Sequence, residues 1–255
     1  MNYGKKSVKQ KKKALQSTSS KLGRKCLLTF SKVLLLCVIA IGIIGICAGL
    51  GVFKGIIDSA PTITLEDATP TRYSSFIYDS KGNQMAKLIA EDSNRVPVTM
   101  DQIPTDLANA FVAIEDERFY DHNGIDLQGI LRAGLKGVAS GFHFSEGAST
   151  ITQQLAKLTH LSAEKTIRRK LEEINLAFQI EKVYNKDEIL AMYLNTVYFG
   201  RGAYGIQAAA QAYFGVDAED LTLNQSASLA AIIKAPSIYA PHISPSNNRS
   251  RRQYI

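Results

Sequence analysis

Ten residues of this chain concentrate groups that can move a proton or hold a charge: Glu115-Asp-Glu-Arg-Phe-Tyr-Asp-His122-Asn-Gly124. Leu107, Ala110, Phe111 and Ile114 precede them at helical spacing, which is one buried stripe of a helix. Glu115 comes four residues after Phe111 and so falls at the border of the buried face. A carboxylate there is partly desolvated and more basic than one in water. If the helix continues, Glu117 lies about 200° round from it, which makes Glu115 the better candidate for a general base. The other reading is a helix C-terminus with solvated charges, closed by Gly124. The decapeptide alone supports both.

Three further stretches carry polar chemistry. Gly147-Ala-Ser149-Thr150-Ile-Thr-Gln153-Gln154 contains a capping box, with Thr150 as cap and Gln153 reaching back. A helix start preceded by Gly and lined by Ser and Thr is also an anion site, because free N–H groups and the helix dipole face the ligand. Lys157 lies near the same face, and phosphate or pyrophosphate is the anion such a site suits. In Arg168-Arg169-Lys170-Leu-Glu172-Glu173, each arginine has a glutamate four residues on. That spacing gives surface ion pairs. It also gives a basic cluster for a diphosphate, with Glu173 orienting the cluster or holding a metal. Lys186-x-x-Ile-Leu-x-x-Tyr193-Leu194-Asn195 reads by itself as a core helix with its start at Lys186.

The elements that position these residues follow from periodicity. Tyr73–Asp79 and Met85–Ala90 alternate around a turn at 80–83 and read as a β-hairpin. From about Thr105 the chain is helical nearly throughout. Helices are predicted over 126–139, 150–158, 167–184, around Ile189–Leu194, over 206–213 and over 223–234, the last two rich in alanine and closely packed. Phe142 and Phe144 sit in a Gly/Ser-rich loop that either dips into a membrane interface or folds back on the core. Residues 248–255 begin another helix.

Charge and hydropathy divide the chain further. The net charge of +7 misleads, because residues 1–25 hold nine Lys/Arg and no acid. From Asp58 onward there are 19 basic and 23 acidic residues, a net of −4. Val33–Phe53 is an uncharged run of 21 residues. Such a run spans a hydrocarbon core of roughly 30 Å, longer than a signal peptide needs. The expected organisation is a basic, disordered cytoplasmic tail over 1–25, an uncleaved signal-anchor over 26–54, a tether over 55–72 and a domain over 73–255. The charge bias puts the N-terminus in the cytoplasm and the domain outside, and argues against nucleic acid as partner of the tail. Cys26, Cys37 and Cys47 all lie in or beside the anchor, so the domain has neither disulfides nor a thiol nucleophile.

Taken in order, the four stretches resemble the peptidoglycan glycosyltransferase domain of class A penicillin-binding proteins and their monofunctional relatives. Glu115, Asp116, Phe119, His122 and Gly124 meet the pattern E-D-x-x-F-x-x-H-x-G. Gly147, Ser149, Thr150, Gln153 and Gln154 meet G-x-S-T-x-x-Q-Q. Arg169, Lys170 and Glu173 meet R-K-x-x-E. Lys186, Ile189, Leu190, Tyr193, Leu194 and Asn195 meet K-x-x-I-L-x-x-Y-L-N, with Ala191 where the family often has an acid.

The resemblance implies a mostly α, lysozyme-like domain with a small membrane-proximal lobe, preceded by the hairpin and one transmembrane helix. It implies lipid II and a growing glycan strand as substrates, the cytoplasmic membrane as surroundings, and cell-wall synthesis or division proteins as partners. Glu115 is then the general base on the acceptor 4-hydroxyl. Lys157, Arg168, Arg169 and Lys170 meet the departing pyrophosphate, with Glu173 as second carboxylate. Asp116, Phe119, His122, Gly147, Ser149, Thr150, Gln153, Gln154, Tyr193 and Asn195 complete the substrate site. A divalent cation, Mg or Mn, can share the leaving-group task with Glu115 as a ligand, and no organic cofactor is expected. The competing functions are a lysozyme-like glycoside hydrolase or lytic transglycosylase, and an inactive cell-wall scaffold. Ser162-x-x-Lys165 matches a penicillin-binding motif by letters only, since no K-T-G or S-x-N follows. The chain is expected to be the N-terminal part of a bifunctional protein, cut short within a helix.

Overall fold

The structure is a computed structural model that describes residues 4–59, 73–88, 94–139, 149–160 and 166–255. It divides into two units, residues 1–59 and residues 60–255. The first unit is one helix, α1 (Lys5–Ser59). Its stretch Lys25–Gly49 is long and apolar enough to cross a membrane by length and composition, a test that a signal sequence also passes. The helix differs from the expected disordered tail and from the start of the expected tether. Lys, Gln, Ala and Leu dominate its first turns and no proline interrupts them, so nothing in the sequence stops the helix at the edge of the apolar run. Residues 60–72 of the tether lie outside the described residues.

In the second unit, β1 (Ser75–Tyr78) and β2 (Gln84–Leu88) pair antiparallel, with Ser75 opposite Leu88 and a register shift after Ile77. The Asp79 carboxylate closes the turn by accepting the N–H groups of Lys81 and Asn83, each at 2.8 Å. The helices are α2 (Thr105–Glu115), α3 (Leu127–Ala139), α4 (Ile151–His160), α5 (Ile167–Val183) and α6 (Lys186–Thr196). After them come α7 (Ile206–Phe214), α8 (Leu223–Ile232), α9 (Pro236–Tyr239) and α10 (Pro245–Arg252). The predicted helix starts are capped as their sequences dictate. Thr166 accepts from Arg169 N–H, and Asn185 and Glu188 form a capping box at α6.

One core holds α2 and α4 to α8. α2 packs on α8, and α4 lies against both α5 and α6. Leu107 and Phe111 of α2, Leu155 of α4, Ile180 of α5 and Tyr193 of α6 are wholly buried. Ala208–Ala210 of α7 and Ala230 of α8 are buried in that core, as the alanine-rich composition of both helices predicts.

α3 departs from that scheme. Its described side chains contribute nothing to the core. Leu127, Leu131 and Leu135 fall on one ridge at four-residue spacing and are 74%, 66% and 66% exposed. Ile130 beside them is also exposed. The apolar periodicity is there, but among the described residues the face it makes is left exposed.

Candidate active site

Glu115 is the last residue of α2, and the buried face of that helix (Leu107, Ala108, Ala110, Phe111) fixes where it ends. Asp116 leaves helical geometry at φ −161° and ψ 72°. Glu117 is therefore set by a turn and not by helix rotation. It lines the same cleft as Glu115, is 70% exposed, and pairs with Arg132 at 3.5 Å.

The turn is tied down from below. One Asp116 oxygen accepts the N–H of Ile151 at 2.9 Å, and His122 Nε2 lies 3.0 Å from the carboxylate. Gly124 sits at φ +87°, where a Cβ would lie 3.2 Å from the backbone of Ala177. Only glycine fits that approach. Its carbonyl accepts from Thr150 Oγ1 at 2.7 Å.

These bonds correct the expected anion site at the start of α4. The N–H of Ile151 goes to Asp116, that of Gln153 goes to Thr150 Oγ1, and Gln153 Oε1 takes the N–H of Thr150. The anion at this helix start is the chain's own buried aspartate. Anion binding falls instead to side chains, which ring a cleft of about 1000 Å³. Lys157, Arg169 and Lys170 come from α4 and α5, and Glu173 lies among them.

Glu173 is 2% exposed, on the buried side of α5. It is ion-paired to Lys170 and lies 3.8 Å from Arg169. Lys170 also donates to Ser149 Oγ at 2.9 Å. The Glu173 carboxylate thereby aims two cations at the cleft. Arg168 does not join it: it pairs with Glu172 on the outer face and is 69% exposed.

Glu115 is only 13% exposed at its side chain. Gln154 Nε2 donates to its Oε2 at 3.0 Å, and Arg251 donates to Oε1 at 3.3 Å. Tyr193, deep in the core, donates its hydroxyl to Gln154 Oε1 at 3.2 Å. That bond fixes which end of the amide faces Glu115. Burial raises the Glu115 pKa above the ordinary glutamate value, opposed by Gln154, Arg251 and Lys234. Burial, with Glu115 and Asp116 adding to it, keeps the Tyr193 hydroxyl protonated.

Of the sequence-predicted residues, Glu115, Asp116, Ser149, Thr150, Gln154, Lys157, Arg169, Lys170 and Glu173 line the cleft together. Phe119, His122, Gln153, Tyr193 and Asn195 do not. Phe119 is fully buried under Lys186, whose Nζ lies 4.5 Å from the ring centre and pairs with Glu181. Asn195 clamps the backbone of Val98, accepting its N–H at 2.9 Å and donating to its carbonyl at 2.8 Å. These residues hold the cleft walls. Gly147, Phe142, Phe144 and the Ser162–Lys165 match lie outside the described residues.

Sequence reasoning missed Arg132 and Lys136 on α3, Lys234 after α8, and Arg251 and Tyr254 at the end of the chain, all of which line the cleft. The spacing of Arg132 and Lys136, beside a leucine ridge on an otherwise neutral helix, was the available signal. Arg251 meets Glu115 across 136 residues, and no local pattern announces that contact.

Residues 81–255 match the family described as transglycosylase. The chain belongs to that family. It is 48% identical to penicillin-binding protein 1F of Bacillus subtilis (strain 168) over 182 residues, which is 71% of this chain and 25% of the relative. It is 42% identical to penicillin-binding protein 1A of Escherichia coli (strain K12) over 227 residues, 89% of this chain and 26% of the relative. A crystal structure of penicillin-binding protein 1A from Haemophilus influenzae aligns over 72% of this chain and 17% of its own, at 23% identity and a TM-score of 0.36. The chain thus spans about a quarter of the length of the first relatives it matches. Transglycosylases transfer glycosyl groups, and the domain is an enzyme of that kind.

Proposed function

We propose that the chain is a peptidoglycan glycosyltransferase that polymerises lipid II, with a lysozyme-like arrangement of its helical lobe. The observation that carries this reading is a desolvated glutamate with two fixed hydrogen-bond donors, in one cleft with a cluster of cations. Glu115 takes the proton of the acceptor 4-hydroxyl. The oxygen attacks the anomeric carbon of the growing strand from the face opposite the pyrophosphate, so the centre inverts. The bond from that carbon to the pyrophosphate oxygen breaks, and its electron pair leaves with the pyrophosphate. Lys157, Arg169 and Lys170 stabilise the charge that develops there, with Arg132 and Lys136 on the facing helix. A hydrolase needs no such set of cations.

The residues present do not suit a resident Mg or Mn ion. Both oxygens of Glu115 already accept hydrogen bonds, one from a cation. Among the described residues no three His, Cys, Asp or Glu side chains gather. Lys157, Arg169 and Lys170 supply fixed positive charge for the leaving group, and a Mg or Mn ion sharing that task would be held chiefly by the pyrophosphate oxygens with one or two carboxylates.

The leucine ridge of α3 suits the outer leaflet of the cytoplasmic membrane, where a lipid-linked substrate resides. Arg132 and Lys136 on the same helix face the cleft, so one helix offers apolar side chains to lipid and cations to a pyrophosphate. The basic tail and the apolar stretch of α1 agree with a single-pass anchor whose N-terminus is cytoplasmic and whose catalytic domain is extracytoplasmic. The test is to incubate the full chain with labelled lipid II and, separately, with isolated peptidoglycan. Polymer from the first and no release from the second supports a transferase; release of soluble fragments from peptidoglycan means a hydrolase.

A further inference from the structure

The two oxygens of Glu115 are held by different parts of the domain. Gln154 reaches Oε2 from α4, and Arg251 reaches Oε1 from α10, the last helix. α10 is itself fastened by one buried side chain. The Asn248 amide donates to the carbonyls of Ser228 at 3.0 Å and Tyr239 at 2.9 Å, and its oxygen accepts from Ser228 Oγ at 2.9 Å. The Arg251 guanidinium lies 5.5 Å from the centre of the Tyr239 ring, and its side chain is 16% exposed. Helix and side chain are therefore both fixed, and the fixed group ends on the carboxylate.

We propose that Arg251, anchored through Asn248, is a positioning residue that orients Glu115 and holds it as a carboxylate ready to accept a proton. The proposal rests on Glu115 being the base of the proposed reaction. Its chemistry is a balance. Burial favours the neutral acid, which cannot act as a base, whereas a guanidinium on one oxygen favours the anion. Gln154 orients the other oxygen without adding charge. The remaining charged or titratable neighbours are Lys234 after α8, Asp116 in the adjoining turn, and Tyr193 of α6 behind Gln154. Asp116 is already engaged by His122 and Ile151. Lys234 acts on Glu115 through its charge, so Arg251 is the cation hydrogen-bonded to the base. The consequence is that the catalytic glutamate is completed by a helix that contributes nothing to the four recognisable sequence stretches.

The experiment follows the ionisation of Glu115 directly. The full chain in detergent is labelled with glutamate carrying ¹³C at the carboxyl, and the Glu115 signal is assigned by its loss in Glu115→Gln. Arg251→Gln should move the Glu115 titration to higher pH, and Arg251→Lys should restore most of the displacement. Asn248→Ala touches neither the cleft nor Glu115, and should move the titration in the same direction by loosening α10. In turnover of lipid II, Arg251→Gln should reach its plateau at higher pH than the wild type, with the acidic limb of kcat/KM displaced alongside the titration. An unmoved titration in Arg251→Gln overturns the proposal. So does an equal loss of turnover at every pH with an unmoved limb, because that is what a packing role produces. Failure of the wild type to polymerise lipid II counts against the proposed function alone, since the titration still decides the role of Arg251.

Discussion

Replacing Leu127, Leu131 and Leu135 of α3 with glutamine should cut membrane binding of the catalytic unit while leaving its fold intact. The three leucines are 74%, 66% and 66% exposed and lie outside the hydrophobic core of the described residues, so the substitution removes little packing. Glutamine is also a good helix former. Fully burying a leucine is worth about 1.5–3 kcal/mol, so a side chain two-thirds exposed in water brings about 1–2 kcal/mol when it enters lipid. Three of them bring about 3–6 kcal/mol, which corresponds to roughly 100- to 10,000-fold in partitioning. The assay is sedimentation of residues 60–255 with vesicles of neutral lipid at high salt, where attraction through Arg132 and Lys136 is screened. Circular dichroism should show an unchanged melting temperature. Equal partitioning of wild type and triple variant would refute the assignment of this ridge to lipid.

Arg169→Ala should slow turnover by about 10- to 100-fold if its cation meets the pyrophosphate, a loss of about 1.4–2.7 kcal/mol of transition-state stabilisation; steady-state kinetics with unchanged activity and a lowered melting temperature would reduce it to an ion pair for Glu173. Gly124→Ala forces a side chain into a left-handed backbone 3.2 Å from Ala177, and should destabilise the domain by about 1–3 kcal/mol in denaturant titration. Glu115→Gln should raise the melting temperature at neutral pH. Burial raises the folded-state pKa of Glu115 above its unfolded value, so the folded form binds the proton more tightly and ionisation costs stability above that pKa. The gain should shrink as the pH falls through the raised folded-state pKa and vanish below the unfolded value, where Glu115 is protonated in both states; a gap independent of pH in thermal scans would contradict the assigned cause.

Local physics made most of this fold legible in the sequence. Capping residues and apolar periodicity located α2 and α4 to α8, because each of those helices buries its apolar face against a neighbour. Burial does not always follow periodicity, even where the helix falls at its expected place. The stripe of α3 is as regular as the others, yet it faces outward. The start of α4 looked like a site for a ligand anion, but Asp116, 35 residues earlier, fills it. In the same way the Glu115–Arg251 contact joins residues with no pattern in common. Motif membership also proved a poor guide to cleft membership. Phe119, His122, Tyr193 and Asn195 stand in the motif stretches without lining the cleft; the last three hold the turn, the Gln154 amide and the Val98 backbone in place. Gly205 belongs with them: it allows a backbone approach to Asn195 in which a Cβ would lie 2.7 Å from a carbonyl oxygen.

The central claim is that Glu115 abstracts the acceptor proton in glycan polymerisation. Glu115→Gln keeps the size of the side chain and an oxygen for the Gln154 bond, but cannot take a proton at neutral pH. The direct measurement is single-turnover polymerisation of labelled lipid II by wild type and Glu115→Gln side by side, with substrate binding measured on the same samples. General-base catalysis is worth roughly 100- to 10,000-fold, so the variant should bind lipid II as the wild type does and form polymer slower by about that factor. Polymer formed by Glu115→Gln at close to the wild-type rate would contradict the account.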